Sequence, residues 1–383
     1  MTINTVTSTI GNVKSLLLAQ CQSPVLRKMA SWVHGAPGCG KSEIMAQIAE
    51  EMNYMMIDLR LTRMDTTDLT GLPYLDPETK QTIFYLPEFL PTEEKIAEAG
   101  FDGALIFLDE LSSAEPRLQV SAYELILDRK VGKYKVPDNC FIVAAGNRVE
   151  DGAIAYEMTS AIADRFIHYV VDAVPQDWLE WAKNNGVNVE VLTFIETKPD
   201  FLTSSFDKML DSNENSDNKI IPSPRSWVRV SQVLDAVKDK NLRRSIIPGI
   251  IGQATAVEFF HCIEEIGQLA PMSEYIRLGL EKDTKGLKKL LPNSIPGLYG
   301  LGYSLPSYCE KEEDFIGATF VLNTMSEIDD NLPRNEILSV AMVSLFNKTQ
   351  KTGSSTLIRK ILKSDAYRKM RKTTQEFAGM DNV

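Results

Sequence analysis

The sequence predicts an α/β fold in which a parallel sheet with flanking helices is followed by an α-helical region. A glycine-rich loop stands between an apolar strand and an amphipathic helix at residues 31–52. Two further apolar runs of strand length, residues 104–108 and 141–145, each end in polar side chains. From residue 175 onward, apolar residues recur mainly at helical spacing. Strands alternating with helices before a helical stretch are typical of an α/β domain with added helical parts.

Length and composition agree with a globular protein of two or three packed units. The chain has 383 residues, of which 44% are hydrophobic and 24% are charged, close to the average of globular domains. Its formal net charge of −11 disfavours non-specific binding to duplex DNA, which usually needs a basic surface. No apolar run approaches the roughly 18 residues of a membrane-spanning helix, and the first residues lack a signal-peptide pattern.

The cysteines indicate a reducing compartment. All five are scattered along the sequence, and none forms a C-x-x-C pair. Zinc sites need clustered cysteine and histidine ligands, so we expect neither a structural zinc site nor a disulfide framework. This usage is typical of a cytoplasmic protein.

The glycine-rich loop has the pattern G-x-x-x-x-G-K-S, which binds phosphate groups in nucleotide-binding proteins. Its residues are Gly35, Ala36, Pro37, Gly38, Cys39, Gly40, Lys41 and Ser42. Residues 25–26 and 31–33 are expected to end a buried strand before the loop. After the loop, apolar residues recur on one helical face, at Ile44, Met45, Ile48 and Met52.

Each feature of that pattern has a physical reason. The glycines let the backbone turn tightly, so that successive N–H groups point at phosphate oxygens, and the following helix adds its positive N-terminal end. We expect Lys41 to reach the β- and γ-phosphates and the Ser42 hydroxyl to ligate Mg²⁺. The sequence therefore predicts a site for ATP and Mg²⁺.

A pair of acids follows a second buried strand at residues 104–108. Asp109 is expected to hold the Mg²⁺ shell, and Glu110 to orient and polarise the attacking water. A two-acid sequence after a strand is weak evidence alone, but it is strong evidence downstream of a phosphate loop. Another strand is expected at residues 54–59.

Asn147 follows the strand at residues 141–145. If the strands are parallel neighbours, this amide lies beside the acidic pair and can hydrogen-bond the γ-phosphate or the attacking water. The alternative is that Asn147 only caps the strand in a turn, which is a common use of asparagine.

These segments resemble the AAA+ ATPases, and more closely their MoxR-like branch, which is related to midasin and dynein. The resemblance covers approximately residues 10–260. It rests on five short segments in the family's order, GAPGCGKS, LIFLDELSSAEPRLQ, FIVAAGNR, TSAIADRF and PSPRSW. One departure is that the family usually carries Gln-Asn where this sequence has Gly146-Asn147. The resemblance implies the P-loop NTPase fold, with inserted β-hairpins and an α-helical lid. The resemblance fades after the lid, where helical patterns predict a helical C-terminal extension.

The resemblance also assigns two arginines. Arg165, in ADRF, resembles the arginine finger that reaches the γ-phosphate held by a neighbouring subunit, and Arg148 is the competing candidate. Arg225, in PSPRSW, resembles the sensor arginine of the lid. A guanidinium suits both roles because it neutralises charge on the transferring phosphate. A trans-acting finger implies self-association into a ring, with a hexamer expected.

Two β-hairpins are predicted inside this domain. The first pairs residues 73–75 with 82–85 around a turn at 76–79, and the second pairs 129–131 with 134–136. The first resembles the hairpin that MoxR-like proteins insert into their second helix. In that family both hairpins face the ring pore or axial surface and contact partners. The alternative is a surface loop that strand pairing makes stiffer.

Four segments are expected along the chain. They are the AAA+ nucleotide-binding domain at 1–174, connecting helices with a polar loop at 175–221, a helical lid at 222–265, and an accessory helical domain at 266–383. In the last segment we expect helix breaks at Pro292, Pro296 and 297–300.

A basic stripe lies near the end of the chain. It consists of Lys360, Lys363, Arg368, Lys369, Arg371 and Lys372. Such a stripe contacts nucleic acid or an acidic partner, or it is the solvated face of a terminal helix.

The function indicated by these patterns is Mg-dependent ATP hydrolysis by a ring that remodels or matures a protein client. MoxR-like ATPases commonly work beside a von Willebrand A-domain protein, and no D-x-S-x-S metal motif occurs in this sequence, so that partner is expected to be a separate chain. The alternative is a nucleic-acid motor or loader with the same core, which the acidic charge disfavours. A third reading is a nucleotide-switched scaffold with slow turnover.

Overall fold

The computed structural model describes residues 7–78, 81–132, 134–148, 163–204, 220–328, 331–352, 354–369 and 371. The chain divides into two compact units. The sheet unit comprises Met1–Asp177 and Ser223–Arg225, and the helical unit comprises Trp178–Pro222 and Ser226–Val383. The finer division into four segments stays a prediction.

The sheet unit is built on a six-stranded sheet whose neighbouring strands are all parallel, in the order β1-β10-β2-β9-β6-β3. The strands in chain order are β1 (Thr7–Ser8), β2 (Ser31–Gly35), β3 (Tyr54–Arg60), β4 (Leu72–Asp76), β5 (Gln81–Tyr85), β6 (Gly103–Asp109), β7 (Lys130–Val131), β8 (Tyr134–Lys135), β9 (Cys140–Gly146) and β10 (Ile167–Val171). The remaining strands pair as two antiparallel hairpins, β4–β5 and β7–β8. The α/β fold class is therefore confirmed, and both hairpins lie where the sequence places them.

Helices cover both faces of this sheet. They are α1 (Ile10–Gln22), α2 (Lys41–Glu51), α3 (Thr66–Thr70), α4 (Glu93–Glu98) and α5 (Pro116–Leu127). Alternate residues of β6 point to the two faces: Leu105 joins the core beneath α1 and α2, and Ile106 joins the core beneath α3 and α5. Because β6 and β9 are covered on both sides, they read as nearly continuous apolar runs.

The strand expected before the phosphate loop is shorter than predicted. Residues 25–26 are not part of it, because Leu26–Lys28 forms a single 3₁₀ turn and Val25 is 68% exposed. The amides of Lys28 and Met29 donate to the carbonyls of Val25 and Leu26, so the backbone is already curled there. The strand starts only at Ser31.

The helical unit contains the remaining helices, except for the first residues of α6 and α8. They are α6 (Pro175–Asn184), α7 (Val189–Thr197), α8 (Pro224–Ala236), α9 (Lys240–Ile246), α10 (Pro248–Ile251), α11 (Gln253–Ile266), α12 (Met272–Glu281), α13 (Thr284–Leu290), α14 (Ile295–Tyr308), α15 (Glu312–Ser326), α16 (Arg334–Thr352) and α17 (Ser355–Leu362). No helix in the described ranges combines the length and apolar character needed to cross a membrane.

An aromatic cluster forms the core beneath α8. The rings of Phe194, Trp227 and Phe259 lie 5.2–5.5 Å apart, centre to centre, and the Trp227 indole N–H donates to the Phe201 carbonyl at 2.9 Å. The predicted helical periodicity after Arg225 is therefore confirmed, since Trp227, Val230 and Leu234 are all buried.

The helix breaks expected at Pro296 and 297–300 are wrong. These residues lie inside α14, where Pro296 occupies the first turn, a position at which the missing N–H costs nothing. The Ser294 hydroxyl caps this helix by accepting from the Gly297 amide at 3.3 Å. A side chain at Gly300 would meet Ile266 at 3.1 Å, so this glycine permits close helix packing. Only Pro292 lies between helices.

The basic stripe is partly engaged with its own chain. Lys369 Nζ donates to the Ser326 carbonyl at 2.9 Å, and Arg368 lies 3.4 Å from Asp365. Lys372 and the polar run at 211–218 lie outside the described residues.

Candidate active site

The sheet order brings the predicted site residues to one edge. β9 lies between β2 and β6, and the three strands run parallel. Their carboxyl ends are Gly35, Gly146 and Asp109. Ligands of open α/β sheets bind at this edge, so the phosphate loop, the acidic pair and Asn147 emerge side by side.

The phosphate loop depends on glycine at two positions. Gly38 and Gly40 have φ of +78° and +98°, a region that other residues enter only at a cost. A Cβ atom at Gly38 would also lie 3.1 Å from the Ser223 hydroxyl and 3.3 Å from the Arg225 Cβ atom. α2 begins directly at Lys41, so its N-terminal amides face the loop.

Lys41 connects the loop to Asn147. Its side chain is nearly buried, at 8% exposure, and its ammonium donates to the carbonyls of Gly35 at 2.7 Å and Ala36 at 3.0 Å. It also donates to Asn147 Oδ1 at 3.2 Å. This contact goes beyond the turn-capping alternative for Asn147, because its side chain is directed at the loop.

Two oxygen donors meet where a cation would bind. The Ser42 hydroxyl donates to Asp109 Oδ2 at 3.3 Å, and Asp109 Oδ1 accepts from the Glu110 amide at 2.9 Å. Hydroxyl and carboxylate oxygens are the hard ligands that Mg²⁺ prefers. The donor set of this chain therefore fits Mg²⁺.

Negative charge is concentrated beside this donor pair. Burial, together with the charges of Asp109 and Glu110, raises the pKa of Asp58, while Arg60 opposes that rise. Mutual repulsion among carboxylates is relieved by a bound cation. The electrostatics of the site thus agree with its donor chemistry.

Glu110 has an unusual backbone conformation. Its φ is +60°, and for a residue with a side chain this left-handed conformation costs about 1–2 kcal/mol. Such outliers concentrate at functional sites. The conformation places the Glu110 carboxylate against the hydroxyl of Thr62, which donates to Oε2.

Thr62 is a site residue that the sequence did not reveal. It follows β3, whose last residue Arg60 pairs with Asp109 across the sheet. The sequence signal for Thr62 is a polar residue just after the end of a strand. That signal points to the site only when β3 is known to lie next to β6.

The departure at Gly146 has a steric explanation. A Cβ atom there would lie 2.6 Å from the Ser112 hydroxyl and 3.1 Å from the Trp32 indole nitrogen. Ser112 in turn donates to the Asn147 carbonyl at 3.2 Å. The glutamine that is usual in the MoxR-like branch would not fit beside these two side chains.

We therefore expect Gly146→Ala to destabilise the sheet unit by about 1–3 kcal/mol, the usual cost of overpacking. The displaced Ser112 hydroxyl would also lose its bond to the Asn147 carbonyl, so ATP turnover should fall as well. Thermal melting and steady-state turnover measure the two effects. Gly11→Ala is the matched control, since a Cβ atom there meets nothing within 4 Å. Unchanged melting and turnover for Gly146→Ala would show that Ser112 moves aside without cost.

The three predicted arginines have different surroundings. Arg148 lies 2.7 Å from Asp172 in an ion pair. Arg165 is exposed and forms no ion pair within the ranges that the structure describes. Arg225 stands at the start of α8, with its Cβ atom against the loop at Gly38. Residues 159–162 of the TSAIADRF segment lie outside the described residues.

This chain is similar to known proteins in sequence and in structure. Residues 32–166 match the family model for the AAA domain of the dynein-related subfamily. Midasin from Giardia intestinalis is 25% identical over 172 residues, which is 43% of this chain, and the match spans only 3% of midasin. A crystal structure of a protein from Cytophaga hutchinsonii assigned as an ATPase has a TM-score of 0.34 and 15% identity, covering 94% of this chain and 90% of that one. The family match includes the loop, the acidic pair, Asn147 and Arg165, whereas Arg225 lies outside it.

Proposed function

We propose that this chain, whose residues 32–166 form an AAA+ ATPase domain of the midasin- and dynein-related branch, works as a self-assembled ring that remodels or matures a protein client. The observation that carries the proposal is the meeting of Lys41, Ser42, Asp109, Glu110 and Asn147 at one sheet edge. That arrangement suits Mg-dependent hydrolysis of the β–γ phosphoanhydride of ATP. A hexamer is the proposed stoichiometry.

Each of these side chains has a distinct proposed task. Lys41 balances charge on the β- and γ-phosphate oxygens, and Ser42 with Asp109 holds Mg²⁺, which when bound neutralises negative charge on the same oxygens. Glu110 accepts a hydrogen bond from the attacking water and orients it in line. Since the Oδ1 atom of Asn147 accepts from Lys41, its amide N–H₂ group can donate toward the γ-phosphate or the water.

Thr62 and Arg225 complete the site from two further elements. With its Oε2 atom fixed by Thr62, the Glu110 carboxylate presents its other oxygen to the water. Arg225, held beside the loop at Gly38, acts as a sensor of the nucleotide bound by its own subunit.

Arg165 supplies positive charge to the nucleotide of a neighbouring subunit. The ion pair of Arg148 with Asp172 engages the competing arginine within its own chain. Arg165, by contrast, is exposed, and an exposed guanidinium is accessible to another subunit. A site completed by the neighbour is the physical reason for proposing a ring.

We expect Arg165→Ala to lower turnover by about 10³–10⁵-fold, the effect of an arginine finger on phosphoryl transfer. ATP affinity should stay near the wild-type value, because the finger acts on the transition state. Steady-state turnover and equilibrium binding of ATP measure the two quantities. Arg117→Ala, at an exposed position of α5, is the matched control. If Arg165→Ala kept full turnover, Arg165 would not be the finger, and Arg148 would become the candidate.

Mixing two inactive variants tests whether the finger acts in trans. Arg165→Ala keeps an intact site but lacks the finger, whereas Glu110→Gln lacks the base but keeps the finger. In a mixed ring, some interfaces join the intact site of an Arg165→Ala subunit to the intact finger of a Glu110→Gln subunit. Turnover should therefore reappear on mixing. Two variants that remain inactive at every ratio would contradict the shared site. Chelation of Mg²⁺ should abolish the recovered turnover.

The first hairpin is the proposed contact for the client or partner. It exposes large apolar side chains, with Leu75 at 76% exposure and Phe84 and Tyr85 also exposed. Exposed apolar clusters of this kind mark interaction surfaces. A separate von Willebrand A-domain protein is the partner we propose for it.

A cytoplasmic location is proposed from the cysteines. All five are buried, and none forms a disulfide. Burial raises the pKa of the Cys140, Cys262 and Cys309 thiols to about 12, so these three stay protonated and unreactive.

A further inference from the structure

We propose that His34 and His168 are positioning residues that set the direction in which the Arg165 side chain projects from the protein surface. The inference rests on the proposed role of Arg165 as a trans-acting finger. It is carried by a chain of hydrogen bonds that runs from the strand before the phosphate loop to the turn that contains Arg165.

Two imidazoles, the buried ring of His34 and the half-buried ring of His168, form this chain across the sheet. β2 and β10 are parallel neighbours, and His34 Nε2 lies 2.8 Å from His168 Nδ1. His168 Nε2 lies 2.7 Å from the carbonyl oxygen of Ala163. The two rings are stacked, with 5.1 Å between their centres.

The carbonyl partner fixes the role of the His168 Nε2 atom. A carbonyl oxygen only accepts, so His168 Nε2 must carry the hydrogen that it donates to Ala163. In the neutral form of His168, its Nδ1 atom accepts and His34 Nε2 is the donor. Burial, followed by the positive charges of its neighbours, lowers the pKa of His34 to about 3, so this ring is neutral at pH 7.

The Ala163 carbonyl oxygen, which accepts from His168, also closes the turn that contains Arg165. Ala163 O also accepts from the Phe166 amide at 3.3 Å, which makes residues 163–166 a tight turn with Arg165 at its third position. The next amide, Ile167, donates to the Ala30 carbonyl at 2.9 Å. Arg165 itself is exposed, so the turn determines where its side chain starts out from the protein surface.

The turn is anchored on its other side by an aromatic contact. Phe166 is buried and packs edge-on against Trp32, 5.1 Å away at an angle of 67°. Trp32 also stacks on His34 at 5.2 Å. The exposed arginine is thus flanked by residues that are fixed to β2, the strand that leads into the phosphate loop.

Packing alone does not account for two histidines in this place. His34 is 5% exposed, and burying an imidazole is unfavourable unless its nitrogens are hydrogen-bonded. An apolar β-branched residue would fill a central strand without that requirement. The pair therefore provides direction, through its two hydrogen bonds, at a point where an apolar residue would provide only volume.

Paired substitutions of His168 separate its two hydrogen bonds. The amide nitrogen of glutamine falls near the Nε2 position and can still donate to Ala163, whereas the oxygen of asparagine falls near Nδ1 and replaces only the acceptor. We expect His168→Asn to lower turnover by about 10–100-fold, as misplacement of a reacting group does, with ATP affinity unchanged. His168→Gln should keep most of the turnover.

Mixing experiments then locate the defect. A misdirected finger damages the neighbour's site, so His168→Asn should regain turnover when mixed with Glu110→Gln, which contributes a good finger. His168→Asn should not regain turnover when mixed with Arg165→Ala, because neither variant supplies its neighbour with a correctly placed arginine finger. If the defect lay in the variant's own nucleotide site, His168→Asn would regain turnover with Arg165→Ala and not with Glu110→Gln, which would overturn the proposal. Wild-type turnover of His168→Asn would also overturn it, as would equal losses in the His168→Asn and His168→Gln variants.

Two further controls keep the outcome decisive. If His168→Asn does not fold, His34→Gln and His34→Asn form a second pair, in which only glutamine keeps the Nε2 donor and the same order of turnover is expected. Failure of Arg165→Ala and Glu110→Gln to complement each other would reject the trans-acting finger itself. Their complementation alongside wild-type turnover of His168→Asn would reject only the positioning role.

Discussion

Glu110→Gln is expected to bind ATP normally and to hydrolyse it about 10²–10⁴-fold more slowly, the range for loss of a general base. The substitution keeps the size of the side chain and its acceptor oxygen for Thr62, but it removes the charge that polarises the water. Phosphate release and ATP binding, measured on the same preparation, separate the two effects.

The matched control for this prediction is Glu98→Gln, which removes an exposed carboxylate from the last turn of α4. It should have wild-type turnover. Equal rates for Glu110→Gln and the wild type would remove Glu110 from the mechanism and would leave its left-handed backbone and its bond to Thr62 without a catalytic explanation.

Lys41→Ala is expected to weaken ATP binding by about 10²–10³-fold, which follows from losing about 3–4 kcal/mol of charge-assisted contact in a nearly buried place. Three oxygen acceptors surround its ammonium, the carbonyls of Gly35 and Ala36 and the amide oxygen of Asn147. Removing the lysine leaves these acceptors facing the phosphates, which adds repulsion to the lost attraction.

Equilibrium binding of ATP measures this effect directly. Lys135→Ala, at an exposed position of β8, is the matched control and should bind ATP as the wild type does. Wild-type affinity for Lys41→Ala would mean that the loop amides and the helix N-terminus hold the phosphates without it.

The residues predicted from sequence are those whose role is local. The phosphate loop, the strand that ends in Asp109 and the strand before Asn147 each combine an apolar run with a fixed spacing of polar residues. A parallel sheet then brings their ends together whatever the details of packing. For this reason the meeting of Lys41, Asp109 and Asn147 could be anticipated.

The residues missed are those whose role depends on strand order. Thr62 matters only because β3 neighbours β6, and His168 only because β10 neighbours β2. Neither neighbour relation is encoded in local periodicity. The helix through 297–300 was missed for a related reason, since close packing against Ile266 overrides the low helix propensity of glycine.

The most direct test of the shared site is the solution mass of Glu110→Gln with and without Mg-ATP, by light scattering after gel filtration. This variant holds the nucleotide without consuming it, so a finger that bridges two subunits should stabilise the assembly. We expect a shift from a small species to about six subunits, a closed symmetric ring. A monomer under both conditions would contradict the account, because Arg165 would then have no neighbouring phosphate to reach.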